Sequence, residues 1–189
     1  ALNQLSLEGF VNSVHGKGVF VIEKHQLKLL VGGLQSFKEA SLTNSINYET
    51  NLHIFEEILV DEKLSKKTGF PLNSLVYYIC RSRKIEGENS ILDINYFLKS
   101  VIPGLNEEIS KNSIYEYIEN VLSLKIAGAQ KVISVENASK LDKKYLNLIN
   151  YDLVAIIKNF VYLEDGTLFE YTESRHRPDK FTFSTYAKR

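Results

Sequence analysis

Two arginines separated by one residue, Arg81 and Arg83, are the pair in this 189-residue chain best suited to chemistry. They lie in a β-forming run, Ser74 to Glu86, where alternation sends both guanidinium groups to one face. Two such cations repel unless an anion sits between them, and the planar fork of arginine matches the oxygens of a phosphate. The plainer alternative is a pair of surface salt bridges. Ser113 heads a helical stretch, where its hydroxyl either caps the helix or donates to an anion held by the free N–H groups. Tyr115, two residues on, would wall such a pocket or pack in the core. Asp93, in Ile91-Leu92-Asp93-Ile94, and Glu170, in Leu168-Phe169-Glu170-Tyr171, are carboxylates in apolar surroundings. A buried carboxylate needs partners. Neighbouring hydroxyls of a sugar would serve, and so would an ion pair with the same arginines.

Asp93 and Glu170 also have an enzymatic reading, as the acid and base of a glycosidase acting on a phosphorylated sugar. Against it, there is no Ser/His/Asp or Cys/His arrangement, and the four histidines, His15, His25, His53 and His176, are scattered. The expectation is therefore a binding protein without metal or cofactor. Composition agrees. Basic and acidic residues balance at 23 each, so the chain as it stands is a poor nucleic-acid binder. A single cysteine, Cys80, excludes a disulfide framework and suggests a reducing compartment. No apolar run reaches membrane-spanning length. The cytoplasm is the expected location.

The elements that must position these residues follow from periodicity. Leu2, Leu5 and Leu7 fit one face of a helix end, closed at Gly9. Val11 to Val14 and Val19 to Ile22 read as a hairpin whose tip, His15-Gly16-Lys17-Gly18, is glycine-punctuated and basic. A helix followed by such a hairpin is the back half of a winged helix-turn-helix, with Lys17 meeting DNA phosphate. An ordinary hairpin is the alternative. The rest of that domain is expected upstream of Ala1. Residues 24–32 read as a connector, broken at Gly32-Gly33. Ser36 is expected to cap a short helix with Glu39 in a capping-box pattern. Strands follow at 47–60, 74–86, 90–98, 125–135, 152–164, 167–175 and 181–186. Helices are expected at 61–68, 113–121 and 139–148. Long hairpins at Gly87 and Asp165-Gly166, interrupted by short helices, define an α+β domain.

Five segments carry a resemblance. Leu7-Glu8-Gly9-Phe10 followed by His15 to Val21 is similar to the end of the DNA-binding domain in GntR-family transcription regulators. Glu170 to Phe183 resembles the closing motif of the effector (UTRA) domain in the HutC-type branch of that family. Gly32 to Glu39, Cys80 to Arg83 and Ser113 to Ile118 fall in the same order and spacing. The resemblance implies a chorismate-lyase-like fold, a mainly antiparallel sheet flanked by helices, over 33–189, with residues 1–23 left from the winged domain. It implies a ligand-responsive repressor that acts as a homodimer on operator DNA, its wing made by His15, Gly16, Lys17 and Gly18. It implies a sugar phosphate as effector, trehalose 6-phosphate being the expected one. Arg81, Arg83, Ser113 and Lys38 would meet the phosphate. Phe37, Asp93, Tyr115, Glu170 and His176 would meet the sugar. His176 departs from the pattern, since many relatives carry tyrosine there. Arg177 and Asp179 share the closing motif but would simply pair with each other.

Overall fold

The computed structural model describes residues 2, 11–14, 16, 18–21, 37–43 and 47–183. It divides the chain into two units, Ala1–Gly33 with Thr182–Arg189, and Leu34–Phe181. In the first unit, β1 (Val11–Val14) pairs antiparallel with β2 (Gly18–Val21), Val11 opposite Val21 and Val14 opposite Gly18. Gly16 and Gly18 have φ of +77° and +102°, a region other residues rarely enter. That is why this tip is written with glycine. His15, Lys17, the expected helix end at 3–9, the connector 24–32 and Ser36 lie outside the described residues.

The second unit holds α1 (Phe37–Thr43), β3 (Tyr48–Leu59), α2 (Glu62–Thr68), β4 (Leu75–Ile85), β5 (Glu88–Leu98), α3 (Glu107–Lys111), α4 (Ile114–Asn120), β6 (Ile126–Asn137), α5 (Lys140–Tyr145), β7 (Leu153–Leu163) and β8 (Leu168–His176). The strands form one antiparallel sheet in the order β3-β4-β5-β8-β7-β6. β5 and β8 are central and buried on both faces. Alternation along β4 separates Tyr77, Ile79, Arg81 and Arg83 from Val76, Tyr78, Cys80 and Ser82. On the first face, Tyr77, Ile79, Phe97 and Phe169 pack under Ile102, Leu105, Ile114 and Ile118. On the second, Cys80, Ile94 and Ile156 meet Leu141, Tyr145 and Leu146, while Val76, Leu98 and Tyr171 meet Leu64 and Phe70. This is the α+β domain that the patterning predicts and the antiparallel sheet flanked by helices that the resemblance implies.

The helices are cut by local chemistry. Asp61 caps α2 by accepting from Leu64 N–H at 2.7 Å, and Gly69, at φ +79°, ends it. α5 stops short of the expected Leu148. Leu146 turns extended, and Asn147 is drawn to β5, its N–H donating to Asn89 O and its Oδ1 accepting from Asn89 N–H. α3 was not foreseen, although Asn106 caps it by accepting from Ile109 N–H at 2.9 Å. The strand expected at 181–186 is corrected for its described part. Pro178 fixes a short 3₁₀ turn over Pro178–Lys180, and Phe181, Thr182 and Phe183 have no regular structure.

Candidate functional site

β4, β5 and β8 bring most of the candidate residues to the first face. Their register sets Arg81 opposite Asp93 and Asp93 opposite Ser174, with Arg83, Ile91 and His176 in the next row. Arg81 and Arg83 are each 5% exposed, which removes the reading of them as surface salt bridges. Arg83 donates from Nε to Asp93 Oδ2 at 2.9 Å and from Nη1 to Thr50 Oγ1 at 2.5 Å. Ser174 Oγ donates to Asp93 Oδ1 at 2.7 Å. Burial would push the Asp93 carboxyl up. The charges of Arg83 and Arg81 and these hydrogen bonds more than offset it, and hold the carboxyl below its ordinary value. The buried ion pair considered for Asp93 is therefore present.

Arg81 has no carboxylate of its own. It donates from Nη1 to Ser110 O at 2.9 Å and from Nη2 to Asn95 Oδ1 at 3.1 Å, while its Nε–H has no partner among the described residues. Burial and the neighbouring Arg83 charge push it down to about 9. Asn95 Nδ2 passes the contact on to Glu170 Oε1 and Thr172 Oγ1, at 3.1 and 2.8 Å, and the Thr172 hydroxyl donates to Glu170 Oε1. Glu170 Oε2 is buried and has no hydrogen-bond partner within 3.5 Å among the described residues, although the Tyr115 phenol acts on the same carboxylate. Burial raises the Glu170 carboxyl despite the groups around it, which include Tyr115. Burial, and then the Glu170 charge, raise the Tyr115 phenol in turn. Both ring nitrogens of His176 are buried and without a partner among the described residues, and burial pushes the imidazole down to about 4.

α1 and α4 border the same face. The Phe37 ring lies 4.9 Å from the Arg83 guanidinium, a cation–π distance. Lys38 Nζ pairs with Glu116 Oε2 at 2.7 Å in an exposed bridge between the two helices. Ser113 caps α4, its Oγ accepting from Glu116 N–H at 3.3 Å. That engages the oxygen as acceptor and leaves its own O–H as a donor. Arg177 and Asp179 pair with each other, as expected, and Arg177 also binds Glu88. Asn95, Thr172, Ser174 and Thr50 had not been singled out. Alternation from Asp93 and from Glu170 places the first three on this face, and that signal was available.

A cavity of about 620 Å3 opens on the second face, lined by Tyr78, Tyr96 and Tyr171. Its charged groups are already satisfied: Lys67 with Glu173, Lys158 with Glu136, Arg175 with Asp142. The buried side-chain atoms without a partner among the described residues belong to Arg81, Asn159, Glu170 and His176, and all four lie on the first face. That is the face missing a ligand's hydrogen bonds.

The UTRA domain model matches residues 44–182, and the chain belongs to that family of effector domains in GntR-type transcription regulators. It is 42% identical over 189 residues to the HTH-type transcriptional regulator TreR of Bacillus subtilis (strain 168), covering all of this chain and 79% of that protein. It is 31% identical over 194 residues to the HTH-type transcriptional regulator GmuR of the same organism, covering 98% and 79%. Among solved structures, the effector-binding domain of the B. subtilis trehalose repressor aligns with TM-score 0.68 and 45% identity, over 75% of this chain and 98% of that one. The possible transcriptional regulator YydK of B. subtilis aligns with TM-score 0.80 over 99% of this chain and 80% of its own, at 23% identity, a likeness of fold alone. This chain is thus a transcription regulator and not an enzyme. Asp93 faces Ser174, four residues along β8 from Glu170, and its two carboxylate oxygens are taken by Arg83 and Ser174.

Proposed function

We propose that the chain senses a sugar phosphate for the repressor of a trehalose utilisation operon, with trehalose 6-phosphate as effector. The observation that carries this reading is the set of buried, unspent polar atoms on one sheet face: Arg81 Nε, Glu170 Oε2 and both His176 nitrogens. Buried polar groups normally have partners, so orphans sharing a face mark where a polar ligand supplies them. Arg81 and Arg83 hold the phosphate, joined by the Ser113 hydroxyl and by Lys38 at the rim. Asp93, Glu170, His176 and Tyr115 bind sugar hydroxyls, and Phe37 offers a ring edge to the sugar. The relative named as a trehalose repressor supports this choice of effector.

The protein acts in the cytoplasm as a homodimer on operator DNA, symmetry of the dimer matching a palindromic site. The wing formed by His15, Gly16, Lys17 and Gly18 contacts that DNA. Effector binding favours the conformation whose DNA-binding parts are wrongly spaced for the operator, and so releases it. Calorimetric titration of this chain with trehalose 6-phosphate, beside trehalose and glucose 6-phosphate, is the test. Tight binding of the first alone is the expected result. Binding of glucose 6-phosphate in its place keeps the sensor and replaces its ligand, and binding of none sinks the reading. Arg81→Ala removes a charge-assisted contact of about 1.5–3 kcal/mol. It is expected to weaken the effector roughly ten- to hundredfold while the intact regulator still binds operator. An unchanged dissociation constant moves the phosphate site elsewhere.

A further inference from the structure

Across the sheet, register aligns four polar residues in one unbroken row. Asn95 on β5 faces Thr172 on β8, Thr172 faces Asn159 on β7, and Asn159 faces Lys131 on β6. The row on one side is Phe97, Glu170, Val161 and Ala129, and the row on the other is Asp93, Ser174, Ile157 and Ile133. Over β5 and β8 the file thus has polar neighbours, but over β7 and β6 both flanking rows are apolar, and a buried polar atom there is costly without a partner. At its β5 end the groups are spent: Asn95 and Thr172 orient Arg81 and Glu170. On β7, Asn159 Oδ1 is buried and accepts no hydrogen bond among the described residues. Neither Asn159 nor Lys131 has a role in the site described above.

We infer that the file is the track of a second sugar ring, and that Asn159, flanked by Lys131, selects a disaccharide phosphate over a monosaccharide phosphate. This rests on the sugar-phosphate reading proposed above. The dimensions support it. From β5 to β6 the file crosses three strand spacings, about 14 Å, whereas a pyranose ring is roughly as wide as one. With phosphate held at β4 by Arg81 and Arg83, the first ring lies over β5 and β8, against Asp93, Glu170 and His176. The next ring falls over β7, where the open acceptor of Asn159 meets its hydroxyls. The half-buried Lys131 ammonium, whose basicity burial reduces, stands at the end of the track.

The experiment is calorimetric titration of the chain and of Asn159→Ala with trehalose 6-phosphate and with glucose 6-phosphate. Asn159→Leu serves as a second variant that keeps the side-chain bulk and removes the acceptor. The expected result is a threefold to tenfold weaker trehalose 6-phosphate in both variants, the loss of one neutral hydrogen bond, with glucose 6-phosphate affinity unchanged. Equal loss for both ligands, or no loss for either, overturns the second-ring site. Unaltered chain binding glucose 6-phosphate as tightly as trehalose 6-phosphate also overturns it, while leaving the sensor reading intact. Binding of neither ligand by the unaltered chain overturns both.

Discussion

His176 is 3% exposed, and the closest described ring to it is Phe181, with centroids 5.2 Å apart. Burial holds its imidazole neutral down to about pH 4, against 6.5 in the unfolded chain. The sign follows from linkage. Between those values the unfolded state takes up a proton that the folded state refuses, so stability falls as pH drops through that window. The slope approaches about 1.4 kcal/mol per pH unit. His176→Phe is expected to remove it, and urea denaturation of both proteins from pH 7 to pH 4 measures the difference. Parallel profiles would mean that the ring is solvated. Asp93 has the opposite dependence on its neighbours. Asp93→Ala strands the Arg83 charge in the interior, and a loss of about 3–5 kcal/mol of stability is expected; a loss below about 1 kcal/mol in the same assay would show that Arg83 is not buried as described. At this scale the charged residues are the ones that stand out. Arg81 and Arg83 announce themselves by charge and alternation; Asn95 and Thr172 share the face of Asp93 and Glu170 by the same alternation but carry no charge to mark them, and Asn159 joins them only through cross-strand register. The need for Asp93 to hold Arg83 in place likewise depends on a cross-strand partner that spacing alone does not name.

β8 is the element on which both faces depend. Glu170, Thr172, Ser174 and His176 point to the candidate site, and Tyr171, Glu173 and Arg175 point to the opposite face. Arg175 is fixed there by Asp142, with Nε and Nη2 each donating to a carboxylate oxygen at 2.8 Å. Asp142 is itself fully buried and closes the capping box of α5 with Ser139. One carboxylate thus starts a helix and anchors the central strand. Asp142→Ala is expected to destabilise the chain by about 3–5 kcal/mol, as removal of one partner of a buried pair does. Effector affinity should stay within about twofold, because Arg175 is on the far face; a tenfold loss in the same titration would mean that the two faces of β8 move together. The strands and hairpins were readable because period-2 patterning and the Gly87 and Asp165-Gly166 turns are local signals. The end of α5 and the chain after Arg177 were not. Asn147 is held by Asn89 and Arg177 N–H by Ser90 O, partners 58 and 87 residues away in sequence.

At the scale of the whole molecule, the sheet unit is tied covalently to the hairpin unit twice, once at Gly33–Leu34 and once at Phe181–Thr182. The second tie begins five residues after His176, and Phe181 is the residue whose ring packs on that imidazole. A ligand that engages His176 would therefore act next to one exit of the unit, the other being the peptide bond Gly33–Leu34. Under the proposed function, release of operator would require the effector to prefer one arrangement of these ties, since a ligand with equal affinity for both shifts nothing. Coupling energies of this kind are about 1–3 kcal/mol, a five- to 150-fold change in operator affinity. In the intact regulator, four Gly/Ser residues inserted after Gly33 are expected to leave effector affinity unchanged and to cut the effector-induced loss of operator affinity severalfold. The same insertion after Phe181 tests the other tie, and fluorescence anisotropy with operator DNA reads both. A larger effect after Phe181 would make the closing motif the principal transmitter. Undiminished release with both insertions together would rule out rigid transmission through either tie.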